Sequence, residues 1–298
     1  MHDLRHRALL GPLAGIAAGL TSLITLTTLL AVAAGPADAA KGPDRSPTAK
    51  AENHGVTSTN GGYMGWELPG STPGSAATKP HAYAEAAPSA AAEQVAGIDV
   101  SGYQGNVDWA QWWSYGNRFA YVKATEGTYY TNDYFTQQYN GSYDQGFIRG
   151  AYHFANPSDS SGAAQAEYFV AHGGGWSGDG KTLPGVLDIE YNPYDGGTCY
   201  GMSASAMVDW IADFTSTYKS LTGRDAVIYS TTDWWKTCTG NTTAFSGTDP
   251  LWVARYADSV GELPGGWGYY TFWQNTSDPI DGDLFNGSLD RLKVLATG

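Results

Sequence analysis

The sequence predicts an α/β domain folded as an irregular (β/α) barrel, TIM-like, with reduced helices in its C-terminal part. From residue 95 onward, short apolar runs rich in β-branched and aromatic residues alternate with longer helix-like stretches. Seven such runs within about 200 residues suit a small barrel. After Cys238 the helix signals weaken, so the last strands are expected to follow one another as hairpins.

The strand candidates are Ala96–Val100, Phe119–Ala124, Ile148–Phe154, Gly185–Ile189, Ala226–Ser230, Leu251–Arg255 and Tyr269–Gln274. The helix candidates are Trp109–Tyr115, Asp133–Gln145, Gly162–His172 and Ser203–Leu221. Ser203 is placed to cap the last of these, and Gly223 follows its end.

Upstream the texture differs. Arg5 and Arg7 precede an apolar run from Ala8 to Ala34, and Ala37-Asp38-Ala39 supplies a small-residue cleavage site. Residues 1–39 therefore read as an export signal, and the mature protein as secreted. The alternative is an uncleaved membrane anchor, because the run is long enough to span. No Arg-Arg pair indicates a twin-arginine route. Residues 40–94 are rich in Ala, Gly, Ser, Thr and Pro and read as a pro-segment or flexible linker. A stretch of that composition buries too little apolar surface to offset its ordering entropy. Tyr63-Met64-Gly65-Trp66 is an apolar island within it, a candidate for docking on the domain. From residue 95 to 298 the texture is that of one folded domain.

The chain has 298 residues and a formal net charge of −13; 10 Lys and Arg stand against 22 Asp and Glu from residue 95 on. Nucleic-acid binding needs a basic stripe to neutralise phosphates, so it is excluded. Eleven Trp and 20 Tyr are enough for both a core and a sugar-stacking surface. Cys199 and Cys238, behind an export signal, read as one disulfide closing a surface loop, worth about 4 kcal/mol on the chain-entropy model. Two cysteines without nearby histidines are too few ligands for zinc. No cofactor motif is present. No long amphipathic seam suggests assembly, so a monomer is expected.

Three acidic segments sit where apolar runs end: Gly97-Ile98-Asp99-Val100-Ser101, Val186-Leu187-Asp188-Ile189-Glu190 and Pro279-Ile280-Asp281-Gly282-Asp283. A carboxylate in an apolar strand is unfavourable unless paired or functional. In a (β/α) barrel the C-terminal strand ends carry the active site. Residues i and i+2 of a strand share a face, so Asp188 and Glu190 crowd one space and one pKa is pushed up. Glycoside hydrolysis needs one protonated and one ionised group; the longer Glu190 is assigned the acid and Asp188 the ionised partner. Converging carboxylates also suit Ca²⁺ or Mg²⁺. His153 reads as a hydrogen-bonded core histidine, and no Gly-x-Ser-x-Gly elbow supports a serine nucleophile.

These residues, with Phe119–Gly127, Gly150–Phe154, Thr222–Arg224, Val227–Ser230, Leu251–Tyr256, Phe272–Gln274 and Ile280–Gly287 in the same order, resemble glycoside hydrolase family 25, the muramidases of the Chalaropsis lysozyme type. The resemblance spans 96–298. It implies hydrolysis of the β-1,4 bond from N-acetylmuramic acid to N-acetylglucosamine in bacterial peptidoglycan. It implies Glu190 as acid/base and Asp188 assisting the substrate acetamido group or stabilising the transition state. Asp99 and Asp281 complete the acidic cleft, with Tyr152 beside it. The candidate substrate-binding residues are Tyr152, Tyr191, Tyr229, Arg255, Trp273 and Gln274. One departure is Asp283, where the family often has Asn. A chitinase-like hydrolase is a second reading, although Pro184-Gly185-Val186 stand where that class carries further Asp residues. A non-catalytic wall-binding barrel is a third.

Overall fold

The computed structural model describes residues 45–71, 74 and 93–298. The export-signal reading of residues 1–39 falls outside the described residues. Among the described residues no helix is long and apolar enough to cross a membrane.

Nine strands form one sheet: β1 (Val95–Val100), β2 (Phe119–Glu126), β3 (Tyr130–Thr131), β4 (Ile148–Phe154), β5 (Val186–Asp188), β6 (Val227–Ser230), β7 (Leu251–Ala254), β8 (Phe272–Thr276) and β9 (Gly282–Phe285). Their order is β1-β9-β8-β7-β6-β5-β4-β2-β3, and β1 also pairs with β2, which closes an eight-stranded barrel with β3 appended. The pairs from β1–β2 round to β7–β8 are parallel; β9 runs antiparallel to both β8 and β1. The expected C-terminal hairpin is thus β8–β9.

The helices are α1 (Ala49–Asn53), α2 (Trp109–Ser114), α3 (Phe135–Gln145), α4 (Gly162–Phe169), α5 (Ala204–Thr222), α6 (Thr232–Thr239) and α7 (Leu289–Thr297). The Ser203 hydroxyl accepts from the Ala206 amide at the start of α5, and Gly223 ends it in the left-handed region. Hydrophobic periodicity did not point to α6 or α7. In α6 the apolar set is only Trp234, Trp235 and Cys238, too few to show a period.

Period-2 alternation sorts each strand into two layers. Phe119, Tyr121, Tyr152, Tyr229, Trp252, Phe272 and Phe285 point inward and form an aromatic core. The Tyr121 and Trp252 centroids are 4.8 Å apart, and those of Trp252 and Phe272 are 5.6 Å apart. A Cβ on Gly97 or Gly150 would lie 2.4 or 2.2 Å from the rings of Phe119 or Tyr121, so neighbouring strands admit these rings only by lacking side chains there. The outward residues Leu187, Ile189, Ile228 and Val253 pack under α4 and α5 with Phe169, Trp210, Phe214 and Tyr218. The barrel is therefore a filled core, and chemistry must occur at its rim.

Two expectations need correction. The Cys199–Cys238 bridge, Cα–Cα 5.3 Å, does not close a surface loop; it links the loop after β5 to α6 and so encloses α5 and β6. Nor is all of 40–94 without packed structure. Residues 45–71 lie against the barrel with Ala51, Val56, Tyr63, Met64 and Trp66 buried. The apolar island Tyr63-Met64-Gly65-Trp66 supplies most of the buried side chains, and Ala51 and Val56 add to it from outside the island.

Candidate active site

The inward face that is apolar at the bottom of the barrel becomes acidic at its rim. On β5, Val186 points inward and Leu187 outward, so Asp188 and, two residues on, Glu190 point inward. Asp99 follows inward Gly97 on β1, in line with Tyr121 on β2. Asp281 and Asp283 stand at the start of β9, not at a strand end as read from sequence. Because β9 is antiparallel, its start lies on the same rim: Gly97 is in register with Asp283, and the Asp99 amide donates to the Asp281 carbonyl at 3.2 Å. All five carboxyls are buried.

Burial raises every one of them. Asp99 is pushed up to about 7 by desolvation, opposed by the Gln274 amide that donates to its Oδ2 at 2.8 Å. Glu190 is raised well above the carboxylate range by burial and then by the charge of Asp188. Asp188 is raised by burial against the attraction of Lys123. Of the pair, only Asp188 feels a cation, a difference that favours Asp188 as the group that ionises first. Both Asp188 oxygens, Glu190 Oε2, both Asp283 oxygens and the Tyr152 hydroxyl have no hydrogen-bond partner among the described residues. Asp283 lies near Asp99 and the Trp252 indole without closing a well-formed bond to either. Buried polar atoms left open in this number mark a site built for an incoming polar ligand.

A second polar layer holds these groups. Gln274 Oε1 accepts from Tyr229 Oη at 2.7 Å and from Tyr256 Oη at 3.2 Å. Lys123 faces the same interior, a residue that sequence reasoning passed over although a lysine in an otherwise apolar strand is the signal that could have found it. The bulge between Lys123 and Thr125 inserts one residue, so Lys123 and Glu126 share a side although three apart. Their ion pair, 2.6 Å, is fully buried. Glu126 also accepts from Tyr129 Oη at 2.9 Å and from the Tyr194 hydroxyl.

The structure brings Tyr152, Tyr229 and Gln274 into the cleft. Tyr191 and Arg255 line an adjoining groove of about 540 Å³, and the Tyr191 hydroxyl donates to Asp233 at 2.8 Å. Trp273 is not a cleft residue. It alternates outward between Phe272 and Gln274, packs in the layer under α5 and α6, and donates its indole N–H to the Arg255 carbonyl at 2.8 Å. His153 likewise faces outward, held by Thr125 at 2.8 Å and Gln165 at 2.9 Å, as expected of a core histidine. Among the described residues no group of three or more His, Cys, Asp or Glu is arranged to hold a metal ion.

Glycosyl hydrolases family 25 matches residues 98–284, more than half of the chain. The chain belongs to this family. It is a glycoside hydrolase. It is similar to an N,O-diacetylmuramidase from Chalaropsis sp, 52% identical over 68% of this chain and 100% of that protein. It is also similar to lysozyme M1 of Streptomyces globisporus, 50% identical over 68% of this chain and 71% of that one. Among solved structures, a muramidase from Acremonium alcalophilum is 57% identical with a TM-score of 0.67, covering 68% of this chain and 99% of that one. The family match begins at Ile98 and ends at Leu284, so it brackets the acidic rim and leaves residues 45–71 outside.

Proposed function

We propose that the protein is a secreted muramidase that hydrolyses the β-1,4 bond from N-acetylmuramic acid to N-acetylglucosamine in bacterial peptidoglycan. The observation that carries this reading is the buried, inward-facing Asp188–Glu190 pair at the rim of β5, with oxygens open to a ligand. Glu190, raised by burial and by Asp188, keeps its proton near neutral pH and gives it to the leaving glycosidic oxygen as general acid; it then acts as base toward water. Asp188, with Lys123 on its side, orients the substrate acetamido group or stabilises the developing positive charge. Asp99 and Asp281 complete the acidic wall, and Tyr152, Tyr191, Tyr229, Gln274 and Arg255 are the substrate contacts. The similarity to muramidases over the whole barrel supports the same substrate.

The test is prolonged digestion of purified peptidoglycan and chitin by the full chain and by Glu190→Gln, with new reducing ends identified by mass spectrometry. Reducing ends at muramic acid that vanish in Glu190→Gln are expected; cleavage of chitin alone defeats the reading. Substrate assistance by the acetamido group requires retention, so an inverted first-formed anomer by NMR excludes it. The charged and apolar N-terminal run and the Cys199–Cys238 bridge support export to an oxidising compartment. N-terminal sequencing of protein from culture medium should begin near Ala40. Light scattering should give a monomer.

A further inference from the structure

The cleft just described is filled by the protein itself. Residues 45–71 run as a strap across the rim, and the strap touches the groups assigned to catalysis. The Gly65 amide donates to Glu190 Oε1 at 2.7 Å. The neighbouring Met64 is fully buried among the inward aromatic residues of the barrel, in the same cluster as Tyr152 and Tyr229. On one side of Gly65, the Gly62 amide donates to Glu126 Oε2 at 3.0 Å, and the Lys123 ammonium donates to the Gly62 carbonyl. On the other, the Trp66 indole donates to the Tyr191 carbonyl at 2.8 Å.

At Gly62 and Gly65 the fit leaves no room for a side chain. Gly65 has φ +73°, and a Cβ there would lie 2.5 Å from Tyr256 Oη and 2.7 Å from Gln274 Oε1. A Cβ on Gly62 would lie 2.4 Å from the Phe154 ring. Only a glycine backbone presses this close to the catalytic floor. The strap is also fastened at both ends. Arg45 pairs with Asp159 at 2.8 Å, the Thr48 amide donates to the Pro193 carbonyl at 2.8 Å, and Ser277 Oγ donates to the Gly70 carbonyl at 3.1 Å.

We propose that residues 45–71 are an autoinhibitory strap. In the full chain they occupy the glycan-binding cleft, engage Glu190 in place of the substrate, and must leave before a glycan strand can enter. The protein is thus made latent, and displacing the strap activates it. This rests on the muramidase reading of the site.

The test compares the full chain with full-chain Gly65→Val and Gly62→Val, which cannot seat, and with Glu52→Gln, which alters an exposed strap residue away from the cleft. Rates are measured on peptidoglycan, and hydrogen exchange is read at the amides of residues 62–66. The observed rate scales with the fraction of molecules whose cleft is open, so a strap seated more than nine-tenths of the time predicts at least about a tenfold rise on displacement. The expected result is protected strap amides in the full chain and in Glu52→Gln, with free exchange and the rate increase in both glycine variants. The gain must disappear in Gly65→Val/Glu190→Gln. Near-ultraviolet circular dichroism verifies that the barrel is folded in each; Trp66→Ala is the milder variant if a valine disturbs it. Two results overturn the proposal: full-chain activity equal to that of the displaced variants, or unprotected strap amides in the full chain. If no chain cleaves peptidoglycan although the variants are folded with exchanging straps, the muramidase reading falls, and inhibition of that activity with it.

Discussion

Replacing Lys123 by Met keeps the length of the side chain and removes only its charge. The ammonium is fully buried, 2.6 Å from Glu126, with the Tyr130 ring centroid 4.8 Å away and that of Phe154 5.1 Å away. Removing one member of a buried pair costs about 3–5 kcal/mol, because the other charge stays desolvated. Here Glu126 keeps donors from Tyr129, Tyr194 and the Gly62 amide, which places the loss near the lower end. About 3 kcal/mol corresponds to a melting temperature lower by roughly 6–12 °C in a domain of this size. Thermal unfolding by circular dichroism at neutral pH measures it. Adding Glu126→Gln to Lys123→Met removes the stranded charge and should recover part of the loss. A single variant melting within about 2 °C of the wild type, or a double variant less stable than the single, would refute the claim that this pair holds the rim together.

Two further outcomes follow from buried ionisable groups. Asp283 is raised well above its ordinary value by burial and by the neighbouring carboxylates, so the folded chain binds more protons than the unfolded one and stability falls as pH rises above about 4. Asp283→Asn should therefore raise the melting temperature at pH 8 and leave it nearly unchanged at pH 4; equal shifts at both pH values contradict the assignment. His153 has the opposite sign. Burial lowers it to about 3, so the folded chain binds fewer protons and stability is lost as pH falls below about 6.5. Its ring proton NMR shifts should stay flat from pH 7 to 4, and a titration midpoint near 6.5 is incompatible with the packing.

What was legible in the sequence was what periodicity and spacing encode. The strands β1, β2 and β4–β8 emerge because burial on both faces makes them short apolar runs, α2–α5 emerge because each buries one face, and Asp188 and Glu190 share a side because strands repeat every two residues. What was not legible depends on long-range geometry. The direction of β9 decides that Asp281 begins a strand and yet meets Asp99, and nothing local encodes a direction. Trp273 was misassigned because proximity in sequence to Gln274 says little about the cleft when alternate residues face opposite ways. Lys123 and Glu126 were hidden by a bulge, which changes the period for one residue only. The strap was half legible: Tyr63-Met64-Gly65-Trp66 stands out as an apolar island, but the backbone bonds from Gly62 and Gly65 to Glu126 and Glu190 join positions far apart in sequence and leave no local pattern.

The acidic rim and the strap are two consequences of one chemical fact. A glycan strand offers hydroxyls and amides, which donate to carboxyl oxygens, so a cleft that holds it must carry acceptors without fixed partners; Asp188, Glu190 and Asp283 are such acceptors. A bare peptide backbone offers donors of the same kind at closer spacing than any side chain. Gly62 and Gly65 use this, with N–H groups on Glu126 and Glu190 and no Cβ to hold them off. The same arithmetic sets a limit on the inhibitor. Of the carboxyl oxygens assigned to catalysis, it satisfies Glu190 Oε1 and leaves Glu190 Oε2 and both oxygens of Asp188 buried and unmatched. Those unmatched oxygens, the Asp188 acceptors and the proton-bearing Glu190 Oε2, each unfavourable when buried, are the part of the closed state's free energy that a substrate making the missing bonds would recover. A strap that satisfied them all would hold the cleft shut against its own substrate.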